Sequence, residues 1–182
     1  MIRRPRRAIL LACLLAALVP GLVPGALAAS PGASTQLRSA AARGDAQAQY
    51  DLAAAYACGR GVRADAAQAA QWFRKAAEQG HVQSMSVLGW MYMAGRGLAR
   101  DDARALEWLT KAAEQGDTSA QNNLGIVYAQ GRGVAPDRER AQQWFARAAE
   151  QGAEEASRNL AGLRDGKRAV SGPDAPLRDV RI

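Results

Sequence analysis

Cysteine and histidine are nearly missing from this chain, and their scarcity removes whole classes of chemistry. One histidine, with one cysteine left once the leading segment is set aside, cannot assemble the Cys/His set of a structural or catalytic zinc site. No metal and no cofactor is therefore expected. Cys13 falls in the leading segment, so Cys58 stands alone downstream and no internal disulfide can form; stability has to come from packing. Cys58 reads as a small residue at a helix end. Aromatic residues are few, at 5% of the chain, so those that recur at fixed spacing carry more weight. Long apolar runs are also absent: the best, Ala8–Val19, falls short of the roughly 20 residues that span a bilayer as a helix.

That run has a context. It follows Arg3-Arg4-Pro5-Arg6-Arg7 and precedes Pro20-Gly21 and Ala26-Leu27-Ala28. A basic start, a short apolar stretch and a small-x-small site define a secretory signal peptide over residues 1–28, cut after Ala28. The alternative is a retained anchor. Cleavage implies a periplasmic or secreted protein with no stable membrane insertion. It also changes the charge: the net +7 of the whole chain includes those four arginines, and the remainder carries +3 with both signs interspersed. A nucleic-acid binder needs a basic stripe on one face, and none is visible.

What is present is a sentence repeated three times. Residues 44–79, 80–115 and 116–151 align without insertion or deletion at a period of 36, and 13 positions are identical in every copy. They include Leu52/Leu88/Leu124, Tyr56/Tyr92/Tyr128, Trp72/Trp108/Trp144 and a closing Ala-Ala-Glu-Gln. Such a period marks a repeat architecture in which no unit buries its apolar face alone. In the first half of each unit, Ala48, Leu52, Ala53 and Tyr56 recur at helical spacing; in the second half, Ala69, Trp72, Phe73 and Ala76 do the same. Between them, Gly59-Arg60-Gly61-Val62 and its copies at 95–98 and 131–134 predict a left-handed helix cap and a sharp return. Asp65, Asp101 and Asp137 stand where the second helix needs an N-cap.

The flanks fit this frame. Residues 29–35 are Ser/Pro/Gly-rich and read as a linker, 36–43 as the second helix of a leading half-repeat, and 152–164 as a capping helix. Residues 165–182 lack periodicity and are expected to be disordered. The repeat domain thus covers 36–164.

Leu88-Gly89, Tyr92, Gly95-Arg96-Gly97-Leu98, Ala105, Trp108 and Lys111-Ala112-Ala113-Glu114-Gln115-Gly116 together resemble the Sel1-like repeat, a relative of the tetratricopeptide repeat. The resemblance implies an all-α fold, an α/α superhelical solenoid of helix–turn–helix units, and a non-enzymatic role in protein–protein interaction. Some Cys-rich relatives are associated with β-lactam binding or hydrolysis. Here only Cys58 remains and no Ser-x-x-Lys occurs, which argues against transfer of that activity; binding of cell-wall glycan is a third reading.

Positions that vary between copies are the candidates for recognition. On the first helices, residues 50, 54 and 57 lie roughly 140–200° from the Leu52 stripe, and by analogy with tetratricopeptide proteins they line a concave groove. The expected protein-binding set is Gln47, Tyr50, Gln83, Ser86, Trp90, Met93, Asn122 and Ile126. Aromatic and Met residues among amides suit a peptide or partner helix; packing of Trp90 and Ile126 into additional core is the competing outcome, and self-association through Trp90 stays open. His81 reads as a surface residue at a helix end. Lys75/Lys111/Arg147 and Glu78/Glu114/Glu150 read as solvated i,i+3 pairs.

Overall fold

The computed structural model describes residues 31–165; the leader expected over 1–28 and the tail expected beyond Asp165 lie outside the described residues. The described residues form eight α-helices and no strand. They run α1 Pro31–Ala42, α2 Ala46–Cys58, α3 Ala66–Glu78, α4 Val82–Ala94, α5 Asp102–Glu114, α6 Thr118–Gln130, α7 Arg138–Glu150 and α8 Glu154–Arg164. Two compact units divide them. The first ends at His81 and holds α1–α3; the second begins at Val82 and holds α4–α8.

The helix boundaries follow from local chemistry. Asp65, Asp101 and Asp137 each accept a hydrogen bond from the backbone N–H three residues on, all at 2.9 Å. Asp45 and Asp117 do the same for Ala48 and Ala120, at 2.7 and 2.8 Å, so the first helices of the first and third repeats are capped too, which the sequence reading did not assign. Each such cap is worth about 1 kcal/mol. Between α2 and α3 the chain reverses through Gly59 (φ 70°) and Gly61 (φ 67°), a left-handed region closed to most side chains. The turn is then tied shut: Asp65 N–H donates to Tyr56 C=O at 2.9 Å, and the same bond recurs as Asp101–Tyr92 at 3.1 Å and Asp137–Tyr128 at 2.8 Å. At the end of α3, His81 N–H donates to Ala76 C=O and Gly80 N–H to Ala77 C=O, the Schellman pattern that satisfies the last carbonyls.

One boundary differs from expectation. The stretch 29–35 is not a linker throughout, because α1 starts at Pro31. Proline fits a first helical turn, where its missing N–H would have had no partner.

In the first unit, α2 packs on both α1 and α3, with Ala41, Ala48 and Leu52 buried and Leu37, Tyr56 and Trp72 packed against them. In the second, consecutive helices pack in order from α4 to α8, and α4 also touches α6. Its core joins Ile126 to Ala141, Phe145 and Ala148 of α7 and to Ala156 and Leu163 of α8. The Arg138 guanidinium donates to the Leu163 carbonyl near the end of α8, so α7 and α8 are fastened together there. Burying a side chain such as Phe73, Leu109 or Phe145 completely contributes about 1.5–3 kcal/mol each.

Small residues allow that packing. A Cβ on Gly89 would lie 2.7 Å from Leu109 Cγ and 3.1 Å from Leu109 N, and a Cβ on Gly125 would enter the ring of Phe145. The helices touch there because a side chain is missing.

The outer polar residues are arranged differently from the expected i,i+3 ion pairs. Lys75, Lys111 and Arg147 instead lie over the rings of Trp72, Trp108 and Trp144, at 4.1, 4.6 and 4.7 Å from the centroids. Lys111 also pairs with Glu107 at 2.6 Å, one turn back. An indole face three residues away sits under the long cationic stem, so the cation gains ring contact without losing water.

Candidate functional site

The expected recognition residues separate into three groups. The first is a small cluster in the first unit. Tyr50, half-buried, meets Phe73 edge-on with centroids 5.7 Å apart and lies against the His81 ring at 4.8 Å. His81 Nε2 is 3.3 Å from Gln47 Oε1, while the Gln47 amide donates to Asp51 at 3.1 Å. Burial pushes the His81 pKa down, and the nearby Asp51 charge offsets part of that. His81 is therefore a packed partner of Tyr50 rather than a loose end-of-helix residue.

The second group has lost its solvent face. Met93 is fully buried and Ile126 is 1% exposed, and Ile126 belongs to the core shared with α7 and α8. Ser86 and Asn122 are buried as well. Ser86 Oγ donates to Asp117 Oδ1 at 2.8 Å, the same oxygen that caps Ala120, so it ties α4 to the start of α6. Asn122 accepts from Asn159 at 3.1 Å, joining α6 to α8. These four residues hold the stack together and do not line an open groove. The reason is geometric: α6 is packed by α4, α5 and α7, so its buried arc is far wider than the single stripe facing its hairpin partner.

The third group remains open. Gln83 and Trp90 are half-buried on α4, and between them on the same face lies half-buried Val87. The spacing 83, 87, 90 is one helical edge. On α6 the corresponding side is Ser119, exposed, and Asn123, half-buried. Val87 and Asn123 were missed by the sequence reading, although their position varies as Asp51/Val87/Asn123, which was the available signal. The face carries no charge, with a single indole at its centre.

Among the described residues no group of three His, Cys, Asp or Glu side chains is placed to hold a metal ion, and no helix is long and apolar enough to cross a membrane. Cys58 is half-buried at the end of α2.

Stacked helical hairpins of constant length define an all-α repeat solenoid. A family model described as the Sel1 repeat matches residues 46–81, 82–117 and 118–152, each copy starting two residues later than the repeat read from the sequence. The chain belongs to the Sel1 repeat family. Among solved structures it is similar to a Sel1 repeat protein from Oxalobacter formigenes, with 41% identity, a TM-score of 0.63, and coverage of 70% of this chain and 96% of that one. It is also similar to c5321, a protective antigen of uropathogenic Escherichia coli strains with an SLR fold. That match has 39% identity and a TM-score of 0.68, and covers 75% of this chain but 29% of the other. Helicobacter pylori cysteine rich protein B shares the fold at 24% identity and a TM-score of 0.52, over 68% of this chain and 94% of that one. A comparison with curated proteins finds no match.

Proposed function

We propose that the chain is an exported, non-enzymatic adaptor that holds a protein or peptide partner on the uncharged face of α4 and α6. One observation carries this reading: Trp90 stays half-open at the centre of a helix whose other large side chains are enclosed. A partly exposed indole flanked by Val87, Gln83 and Asn123 supplies the apolar anchor with polar surround that peptide capture requires. Membership of a family commonly built as interaction modules supports it. Export rests on the leader-like residues 1–28.

The decisive experiment places a photocrosslinker at position 90 or 87, with position 143 on the exposed side of α7 as control, in the native envelope. Capture of one defined protein from 90 and 87, competed by that protein's own peptide and absent from 143, supports the reading. Capture from 143 alone overturns it. Export is checked by the N-terminus of the mature protein: a start at Ala29 agrees, an intact Met1 does not. Turnover of nitrocefin by purified protein would overturn the non-enzymatic assignment.

A further inference from the structure

In the second and third repeats a tyrosine and an N-cap aspartate hold an arginine between them. Arg104 lies over the Tyr92 ring at 5.6 Å, donates to its hydroxyl at 3.2 Å and pairs with Asp101 at 3.3 Å. Arg140 repeats this over Tyr128 at 5.6 Å with Asp137 at 3.2 Å. The first repeat keeps the tyrosine and the aspartate, as Tyr56 and Asp65, but has Gln68 where the arginine belongs. The space is open: a cavity of about 600 Å³ lies there, lined among others by Tyr56, Asp65, Gln68, Arg38 of α1 and Arg63 of the turn.

The charges on this cavity decide what it can take. The second and third repeats have Ala99 and Ala135 where Arg63 stands, so the arginine here is specific to the open copy. Neither Arg38 nor Arg63 makes a hydrogen bond or ion pair among the described residues. Asp65, the one acid, has an oxygen engaged by the Gln68 N–H at 2.9 Å. Two guanidiniums, a phenol and a side-chain amide therefore present donors, against a single carboxylate that keeps one oxygen beyond its cap bond; the two cations outnumber the one anion. Guanidinium forks match carboxylate oxygens in charge and geometry.

We propose that this cavity is a docking site for an acidic side chain, aspartate or glutamate, of a peptide partner. It is separate from the α4–α6 face and does not depend on it. Replacement of the internal arginine by Gln68 empties the subsite, and Arg38 with Arg63 reverses its preference from the cation held in the other repeats to an anion.

The test uses the full mature chain, labelled with ¹⁵N, and follows the arginine Nε–H signals and the signals of Tyr56 while N-acetyl-glutamate amide is added. N-acetyl-glutamine amide and N-acetyl-lysine amide serve as comparison probes. Saturable shifts confined to Arg38, Arg63 and Tyr56, seen with the glutamate probe alone and weakened by added salt, are expected. Gln68→Arg should refill the subsite as in the other repeats, leave the fold intact, and weaken binding about tenfold or more. Arg63→Ala should weaken it in the same direction without filling the space. Equal response to the glutamine probe, preference for the lysine probe, shifts spread over all arginines, no response at all, or binding indifferent to both substitutions would overturn the proposal.

Discussion

Gln151 Nε2 donates to Gln121 Oε1 at 2.7 Å, and Gln121 in turn donates from its own amide to the Ala113 carbonyl at 3.2 Å. The first repeat has the same relay: Gln79 to Gln49 at 2.7 Å, and Gln49 to Ala41 C=O at 3.1 Å. The glutamine that closes every repeat thus reaches back to its own first helix, and the buried amide it meets satisfies the end of the preceding helix. In the middle repeat the acceptor is Met85 sulfur at 3.7 Å, a weaker partner.

Gln121→Leu should therefore destabilise the protein by about 1 kcal/mol, because it removes the hydrogen bonds from Gln151 to Gln121 and from Gln121 to the Ala113 carbonyl, which keeps the Gly116 N–H. Gln115→Ala should cost less. Urea denaturation of the two variants side by side checks the order.

Gly89→Ala should cost about 1–3 kcal/mol, since the added carbon meets both the Leu109 side chain and its backbone nitrogen and neither can yield cheaply. Adding Leu109→Ala should restore part of the loss, which a double-mutant cycle measures.

Trp90→Ala and Ile126→Ala stand at equivalent repeat positions yet should fail in different ways. Ile126, 1% exposed and packed on Phe145 and Leu163, should lose about 2–5 kcal/mol of stability. Trp90→Ala should weaken partner capture by more than its own loss of stability accounts for. Thermal melts and the crosslinking yield separate the two effects.

His81 makes stability depend on pH. Its pKa lies below the ordinary value, chiefly through burial against Tyr50 and Gln47, so the folded chain resists protonation that the unfolded chain accepts. Above the unfolded pKa of about 6.5 both states are neutral and the contribution is complete. As the pH falls below that value the unfolded state binds the proton first, and stability drops until the folded pKa is passed. His81→Gln should flatten this segment of the stability profile, read by denaturant midpoints from pH 7.5 downward.

Much of this molecule was legible in its residues. The period, the hairpin, the caps at Asp65, Asp101 and Asp137, and the left-handed turn at Gly59 and Gly61 all rest on local rules, and local rules survive folding. The candidate face was read less well. Helical spacing reports which residues share a side of one helix; it does not report how many other helices surround it. Ser86, Met93, Asn122 and Ile126 vary between copies because each fits a different neighbour, and variation from packing looks the same in the sequence as variation from recognition. The expected Lys–Glu pairs gave way to cations over Trp72, Trp108 and Trp144 for a related reason: spacing alone cannot rank two partners that lie equally near.

The six helices from α2 to α7 are each 13 residues long, which makes every one a rod of roughly 20 Å. An extended segment advances about 3.3 Å per residue, so a guest lying parallel to one rod finds room for about six of its residues. A longer guest has to step across to another rod. On the proposed function, the uniform rod length would act as a gauge: short linear motifs would fit along a single helix, whereas longer ones would be measured in whole repeats.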